Sequence, residues 1–165
     1  MPIRDTQKND LPFILELMNH AILNTTSIYE HEPRTLNYIE TWFSQKQTVK
    51  FPVLVYEVDR KVVAFGTYGN FRLGSAYRSS VEHSVHVHKD FQGKGIGKQL
   101  LSSLIERANK EGHHAMIAGI DSKNKRSINF HEKMGFQEVG RFPEIAFKFD
   151  NWLELVLMQL LLDPQ

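Results

Sequence analysis

The strongest constraint on the fold of this chain is a glycine-rich segment that lies between a strand pattern and a helix pattern. Residues 81–87 read as a strand, residues 92–97 read Gln-Gly-Lys-Gly-Ile-Gly, and apolar residues then recur at helical spacing as far as Ala108. Residues 116–120 form the next apolar run. Because strand, helix and strand follow one another, the segment predicts a parallel βαβ unit with a right-handed crossover.

The rest of the chain predicts a mixed α/β (α+β) fold with a mostly antiparallel central sheet and helices on both of its faces. Further strand patterns lie at residues 3–5, 53–58, 62–71, 136–140 and 153–161, and helix patterns at residues 11–22, 36–43 and 127–134. Residues 153–162 alternate too little for a strand with one wet face, which predicts a central strand or a subunit contact. No repeat or linker divides the sequence, so residues 1–165 are predicted to form one domain.

Composition excludes several functional classes. The 165 residues include no cysteine, which rules out disulfides, cysteine-ligated zinc, iron–sulfur clusters and a cysteine-bound intermediate. The net charge of +1 gives no field for steering nucleic acid or an anionic membrane. No apolar run reaches the roughly 18 residues of a membrane span, and no secretion signal is evident at the start. We therefore expect a cytoplasmic protein whose partners are small molecules.

The glycine loop has more than one interpretation. Backbone N–H groups at a glycine-rich helix start can cradle a phosphate, although such glycines can also serve only as a connection that needs positive φ. A dinucleotide fingerprint would find its ribose-binding acid at Asp121, but Gly93, Gly95 and Gly97 are spaced two apart and do not follow the strand directly. The phosphate loop of nucleotide hydrolases fails because Lys98 stands where its second glycine is needed.

Two later motifs accompany the loop. Gln92-x-x-Gly95-x-Gly97 is followed by Asn124-x-x-Ser127 and then by Phe-His-Glu-Lys-Met-Gly-Phe at residues 130–136. Together they resemble the motifs of the GNAT N-acetyltransferases. Residues 81–87 and 147–159 are similar to the phosphinothricin and methionine sulfoximine acetyltransferases within that superfamily, and the resemblance extends over essentially the whole chain.

The resemblance implies a fold, a reaction and a set of coenzyme contacts. The implied reaction is acetyl transfer from acetyl-CoA to the α-amine of a small amino-acid analogue, usually by a homodimer and often as detoxification. A backbone N–H near Val85, exposed by a bulge, is the implied donor to the thioester oxygen. The implied coenzyme-binding residues are Val85, His86, Val87, Gln92, Gly93, Lys94, Gly95, Ile96, Gly97, Lys98, Asn124 and Ser127. Asn124 and Ser127 are also ordinary helix-start residues.

Glu82 and His131 are the candidate catalytic residues. An α-ammonium must lose a proton before it attacks, and Glu82 lies on the strand face opposite the core valines, where it can act as the base. The alternative for Glu82 is an exposed strand carboxylate. His131 stands where the superfamily commonly has a tyrosine that protonates the departing thiolate, and packing is its alternative role. Without cysteine or a G-x-S-x-G motif, direct transfer in a ternary complex is favoured.

The acceptor site is predicted from the loop before the Glu82 strand. Arg72 and Arg78 are expected to bind acceptor oxyanions, with Phe71, Tyr77 and Tyr29 as walls, although solvated loop arginines are the alternative. His83, His86 and His88 are predicted to bind no metal, because His83 lies on the opposite strand face from the others. Acetylation of protein N-termini or polyamines, a non-catalytic acyl-CoA sensor and, more distantly, a nicotinamide enzyme remain alternatives.

Overall fold

Seven strands form one sheet in the computed structural model, which describes residues 1–163. The strands are β1 (Ile3–Asp5), β2 (Val53–Val58), β3 (Lys61–Asn70), β4 (Ser80–Val87), β5 (Ala115–Asp121), β6 (Gln137–Lys148) and β7 (Asn151–Leu161). Their order across the sheet is β1-β2-β3-β4-β5-β7-β6. Only β4 and β5 pair in parallel, while the other neighbours are antiparallel. The predicted mixed, mostly antiparallel sheet with one parallel unit is confirmed.

Helices cover both faces of this sheet, as predicted. The helices are α1 (Leu11–Asn24), α2 (Leu36–Thr48), α3 (Ile96–Lys110) and α4 (Lys125–Lys133). Helices α1 and α2 bury Ile14 and Ile39 against β2 and β3 on one face. Helix α3 buries Leu100 and Leu104 on the other face, where Ile128 of α4 joins the same cluster. Within residues 1–163, no helix is both long and apolar enough to cross a membrane.

The sheet divides where its parallel strands meet. Strand β4 pairs with β3 along its length up to Val87, which lies opposite Ala64. It pairs with β5 only at residues 80–82, and beyond Glu82 the two strands diverge. A gap therefore opens between β4 and β5, on the side from which the chain leads into the glycine loop.

The last two strands differ from the prediction in length. The pattern at residues 136–140 predicts a short strand, but β6 continues to Lys148. Its pairing with β7 shifts register between Glu138 and Gly140 and again between Phe142 and Ala146, which leaves Pro143 outside the ladder. Such shifts are tolerated because β6 is an edge strand. Strand β7 lies between β5 and β6, so the predicted central placement of the apolar run is confirmed.

Candidate active site

A cavity of about 560 Å³ lies beside the gap between β4 and β5 and reaches the starts of α3 and α4. All of the predicted coenzyme-binding residues except Lys94 line it, and His131 lines it as well. Lys94 is exposed on the loop, with its ammonium 4.8 Å from the ring centre of Phe91. The structure thus brings the strand end, the glycine loop and the later Asn-x-x-Ser pair around one space.

The glycine loop presents the N-terminus of α3 to this cavity. Gly93 and Gly95 have φ values of 78° and 79°, a left-handed conformation that favours glycine. Gly95 caps the helix without a side-chain hydrogen bond, so the first N–H groups of α3 have no side-chain partner there. The positive end of the helix dipole and Lys98 add favourable charge for an anion. The loop needs Gly93 and Gly95 for backbone shape, and its geometry is also suited to an anion.

Two cationic side chains of this cavity were missed by sequence reasoning. Arg126 and Lys133 line it opposite the glycine loop. One guanidinium nitrogen of Arg126 lies 3.5 Å from the position that a Cβ on Gly93 would take. No carboxylate within residues 1–163 forms an ion pair with Arg126. A cation in the first turn of α4 opposes the helix dipole, and that conflict is the signal that could have indicated a bound anion.

Asn124 and Ser127 combine both roles that the sequence left open. The Asn124 side-chain oxygen accepts a hydrogen bond from the Ser127 N–H at 3.1 Å, which caps α4. Both residues also line the cavity. Capping and coenzyme contact are therefore compatible at this helix start.

Every second backbone N–H group of β4 points into the gap between β4 and β5. The N–H of His88 donates to the Val63 carbonyl at 2.8 Å, and the N–H of Phe71 donates to the Ser80 carbonyl at 3.2 Å. Even-numbered residues of β4 therefore bond to β3, while Val85 directs its N–H toward the gap. The bulge expected near Val85 is absent, because the pairing of β3 with β4 shows no register shift. Divergence of β5, rather than a bulge, exposes this side of β4.

Glu82 lies at the last paired position before the gap. Its side chain is accessible to solvent, and its Oε1 lies 3.3 Å from the position that a Cβ on Gly119 of β5 would take. Although the side chain is exposed, the protein around its carboxyl partly desolvates it and raises its pKa. Glu82 does not itself line the cavity, but its carboxylate lies beside Gly119, which does, and a carboxylate with a raised pKa in this place has the properties of a general base.

His131 is buried and both of its ring nitrogens have partners. Its Nδ1 lies 2.7 Å from the Ser127 carbonyl, which can only accept, so Nδ1 carries the proton. Burial lowers the pKa of His131 and of His83, and both are neutral at neutral pH. His131 Nε2 therefore accepts from His83 Nε2, 3.1 Å away. In this arrangement the neutral His131 is not an acid, and an acid role requires that the contact with His83 open and that Nε2 take up a proton.

The remaining predicted residues lie outside this cavity. Phe71, Arg72, Tyr77 and Arg78 lie in the loop before β4; Phe71 is half-buried and the other three are exposed. Tyr29 donates its hydroxyl proton to Asp121 Oδ2 at 2.8 Å. The structure therefore holds Tyr29 against Asp121, which itself lines the cavity.

Asp121 and the strand histidines bear on two alternative interpretations, a dinucleotide site and a metal site. Asp121 accepts from Tyr29 and from the Lys123 N–H, so its carboxylate is already engaged and does not resemble a ribose-binding acid. His86 stacks on Phe65 with ring centres 5.1 Å apart, whereas His83 contacts His131. Within residues 1–163, no group of three or more histidine, aspartate or glutamate side chains could hold a metal ion.

A helix start suited to an anion, a strand edge with outward N–H groups and a carboxylate of raised pKa are features with which a transferase could hold a phosphorylated carrier. The comparisons with known proteins name the family. The chain matches the acetyltransferase (GNAT) family over residues 14–136 and belongs to it. It is therefore an acetyltransferase, as the sequence motifs predict.

Its relatives are similar over nearly the whole chain. It is 43% identical over 163 residues to the L-methionine sulfoximine/L-methionine sulfone acetyltransferase of Pseudomonas aeruginosa, covering 98% of this chain and 95% of that one. It is 40% identical to the L-amino acid N-acyltransferase MnaT of Escherichia coli, covering 100% and 96%. The solved structure of a phosphinothricin acetyltransferase from Sinorhizobium meliloti in complex with acetyl-CoA superimposes with a TM-score of 0.94 at 32% identity, covering 100% and 94%.

Proposed function

We propose that this enzyme transfers the acetyl group of acetyl-CoA to the α-amine of small amino-acid analogues of the methionine sulfoximine, methionine sulfone or phosphinothricin type. The activities of its relatives support this acceptor class. The observation that carries the proposal is the placement of Glu82 and the Val85 N–H along one gap that leads to the anion-binding loop. Glu82 and Val87 are about 17 Å apart along β4, which suits an extended carrier arm.

The coenzyme is held by residues of the cavity described above. The N-terminus of α3, together with Lys98, Arg126 and Lys133, would bind its phosphates. The N–H groups of Val85 and Val87 face the gap and would hydrogen-bond to the carrier arm and the thioester. Nothing in this arrangement requires a metal.

The residues divide the chemistry between them. Glu82 takes a proton from the α-ammonium, directly or through one water, and the free amine attacks the thioester carbon. The Val85 N–H stabilises the negative charge that develops on the thioester oxygen. The carbon–sulfur bond then breaks, the nitrogen loses its second proton as the amide forms, and the thiolate takes up a proton. His131 remains the proposed donor of that proton, on the condition that its contact with His83 opens and that Nε2 first takes up a proton, because only the imidazolium can protonate a thiolate.

The acceptor is proposed to bind at the start of β4, next to Glu82. Arg72 and Arg78 lie in the loop that leads into this strand and can reach toward it to bind a carboxylate and a phosphinate or sulfoximine oxygen. Phe71 and Tyr29 are retained as proposed contacts. The Arg72 guanidinium lies 5.7 Å from the ring centre of Phe71, which supports a shared aromatic and cationic surface in this loop.

The enzyme is further proposed to act as a homodimer. Edge strand β6 and the start of β7 expose large apolar side chains at Phe142, Ile145, Phe147 and Trp152. An apolar edge strand of this length invites pairing with a second copy of the chain. We also propose that the enzyme is cytoplasmic, where its acetyl donor is made, and that acetylation detoxifies acceptor analogues.

Thiol release from acetyl-CoA tests the proposed function. The acceptor panel comprises methionine sulfoximine, methionine sulfone, phosphinothricin, proteinogenic amino acids, polyamines and peptides with free N-termini, with enzyme lacking acceptor as the blank. We expect selective release with the tetrahedral sulfur and phosphorus analogues. Preference for polyamines or peptides would overturn the acceptor class. Tight acetyl-CoA binding without release for any acceptor would indicate a sensor instead.

A further inference from the structure

Gly119 is a glycine in the interior of a strand. Its neighbours Ala118 and Ile120 are buried, whereas Gly119 is exposed and lines the coenzyme cavity. Glycine weakens a strand because it has no side chain to pack and loses more entropy on folding. Its φ lies outside the left-handed region, so the backbone conformation does not require glycine. The missing side chain therefore calls for another physical reason.

The space above Gly119 is occupied from two sides. A Cβ at this position would lie 3.3 Å from Glu82 Oε1 and 3.4 Å from Leu155 Cδ1. Glu82 pairs with Ile117, two residues before Gly119, so its side chain leans along the gap to reach this space. A methyl group could not move away from the carboxylate without pressing on Leu155. The carboxylate would have to shift by a few tenths of an ångström.

We propose that Gly119 is a positioning residue for Glu82, because the absence of its side chain is what allows the carboxylate to lean over the gap between β4 and β5. This inference rests on the proposed role of Glu82 as the base. The opposite flank of Glu82 differs: Gly69 of β3 lies beside it, but a Cβ there would meet the Lys46 ammonium at 2.9 Å rather than the carboxylate. Positioning of Glu82 is therefore specific to the β5 side.

The test compares Gly119→Ala with Gly140→Ala. Gly140 of β6 and Gly119 both lie opposite Leu157 of β7, one on each side, and a Cβ on Gly140 would have nothing within 4 Å. Both variants thus add one methyl group to a strand at a position paired with Leu157. We expect kcat of Gly119→Ala to fall roughly threefold to tenfold, because displacing a reacting group by 1 Å can cost about a hundredfold and a contact at 3.3 Å requires a shift of a few tenths of an ångström. We expect Gly140→Ala to match the wild type.

Two further readouts separate positioning from general damage. The Kd for acetyl-CoA, measured by calorimetry, should change less than about threefold, and the acid limb of the kcat–pH profile should move to higher pH because the methyl group desolvates the carboxylate. Glu82→Asp shortens the side chain, so the effects of Glu82→Asp and Gly119→Ala on kcat should be less than multiplicative when combined.

The outcomes distinguish this inference from the proposed function. A wild-type kcat and pH profile in Gly119→Ala, with Glu82→Gln inactive, would overturn the positioning role and leave the base intact. An active Glu82→Gln would overturn the base itself. A fall in kcat/KM that arises wholly from weaker acetyl-CoA binding would show that Gly119 serves the coenzyme and not Glu82.

Discussion

Replacing Glu82 by glutamine tests two predictions: that the catalytic rate falls and that the stability of the fold does not. The amide keeps the shape of the side chain but cannot accept a proton from the acceptor ammonium at neutral pH. A general base contributes about 10²- to 10⁴-fold to rate. We therefore expect kcat to fall by that factor, which corresponds to about 2.7–5.5 kcal/mol of activation free energy.

The same substitution should not weaken the fold. Within residues 1–163, no side-chain or main-chain donor forms a hydrogen bond with the Glu82 carboxyl, and desolvation is the cause of its raised pKa. A carboxyl whose pKa is higher in the folded than in the unfolded state costs stability at pH values above both pKa values, where it is charged in each state. Removing the charge relieves that cost. The free energy of unfolding of Glu82→Gln at pH 7 should equal or slightly exceed that of the wild type.

Thiol release and urea unfolding measure the two effects in one preparation. Glu106→Gln, on the exposed face of α3, is the matched control. In the wild type, kcat/KM should fall as pH drops through an apparent pKa above the ordinary carboxyl value of 4.5. Glu82→Gln should lack this limb. A variant with kcat within threefold of the wild type would refute the base assignment, and a large loss of stability would refute the account of its environment.

Three further substitutions test other parts of the molecule. Arg126→Ala should raise the KM for acetyl-CoA about tenfold, because one charge-assisted contact is lost, with less effect on kcat. If the KM for S-acetylpantetheine, which has no phosphate, rose by the same factor, the contact would not be with a phosphate. Lys148 is buried and donates to the Thr25 and Ile28 carbonyls at 2.7 Å each. Lys148→Met should lower the free energy of unfolding, measured in urea, by about 2 kcal/mol. The variant loses two hydrogen bonds made by a charged group, but it also no longer has to bury that charge. Lys61→Met, at an exposed position, is the control and should leave the free energy of unfolding unchanged. Trp152→Glu should shift the mass by light scattering at micromolar concentration toward the monomer, and a wild-type protein that is already monomeric would end the dimer proposal.

Patterns local in sequence predicted most of the fold. The glycine loop, the apolar spacing of α3 and the dense apolar run of β7 each depend on neighbours within a few residues. Strand β6 was underestimated because Gly140 and Pro143 normally interrupt a strand. Its edge position and two register shifts accommodate them, and neither property is visible in the residues themselves.

The site was predicted less completely because its contacts join distant segments. His83 and His131 are far apart in sequence, so their hydrogen bond could not be foreseen, and neither could the neutral state of His131, in which it is not an acid. The space that Gly119 leaves for Glu82 depends on how β5 packs against β4 and β7. Arg126 lies inside the Asn-x-x-Ser motif, where a cation in the first turn of a helix already indicates an anion, and its position beside Gly93 associates that anion with the glycine loop.

The position of β7 between β5 and β6 also governs the order in which the sheet can be completed during synthesis. Strand β5 ends at Asp121, but the strand that pairs with its outer edge ends only at Leu161. At about 5–20 residues per second, the ribosome needs about 2–8 s to add the intervening residues. During that interval the outer edge of an apolar strand has no partner. A chaperone that recognises apolar strand edges would find its target on the nascent chain in this interval and lose it once β7 is in place.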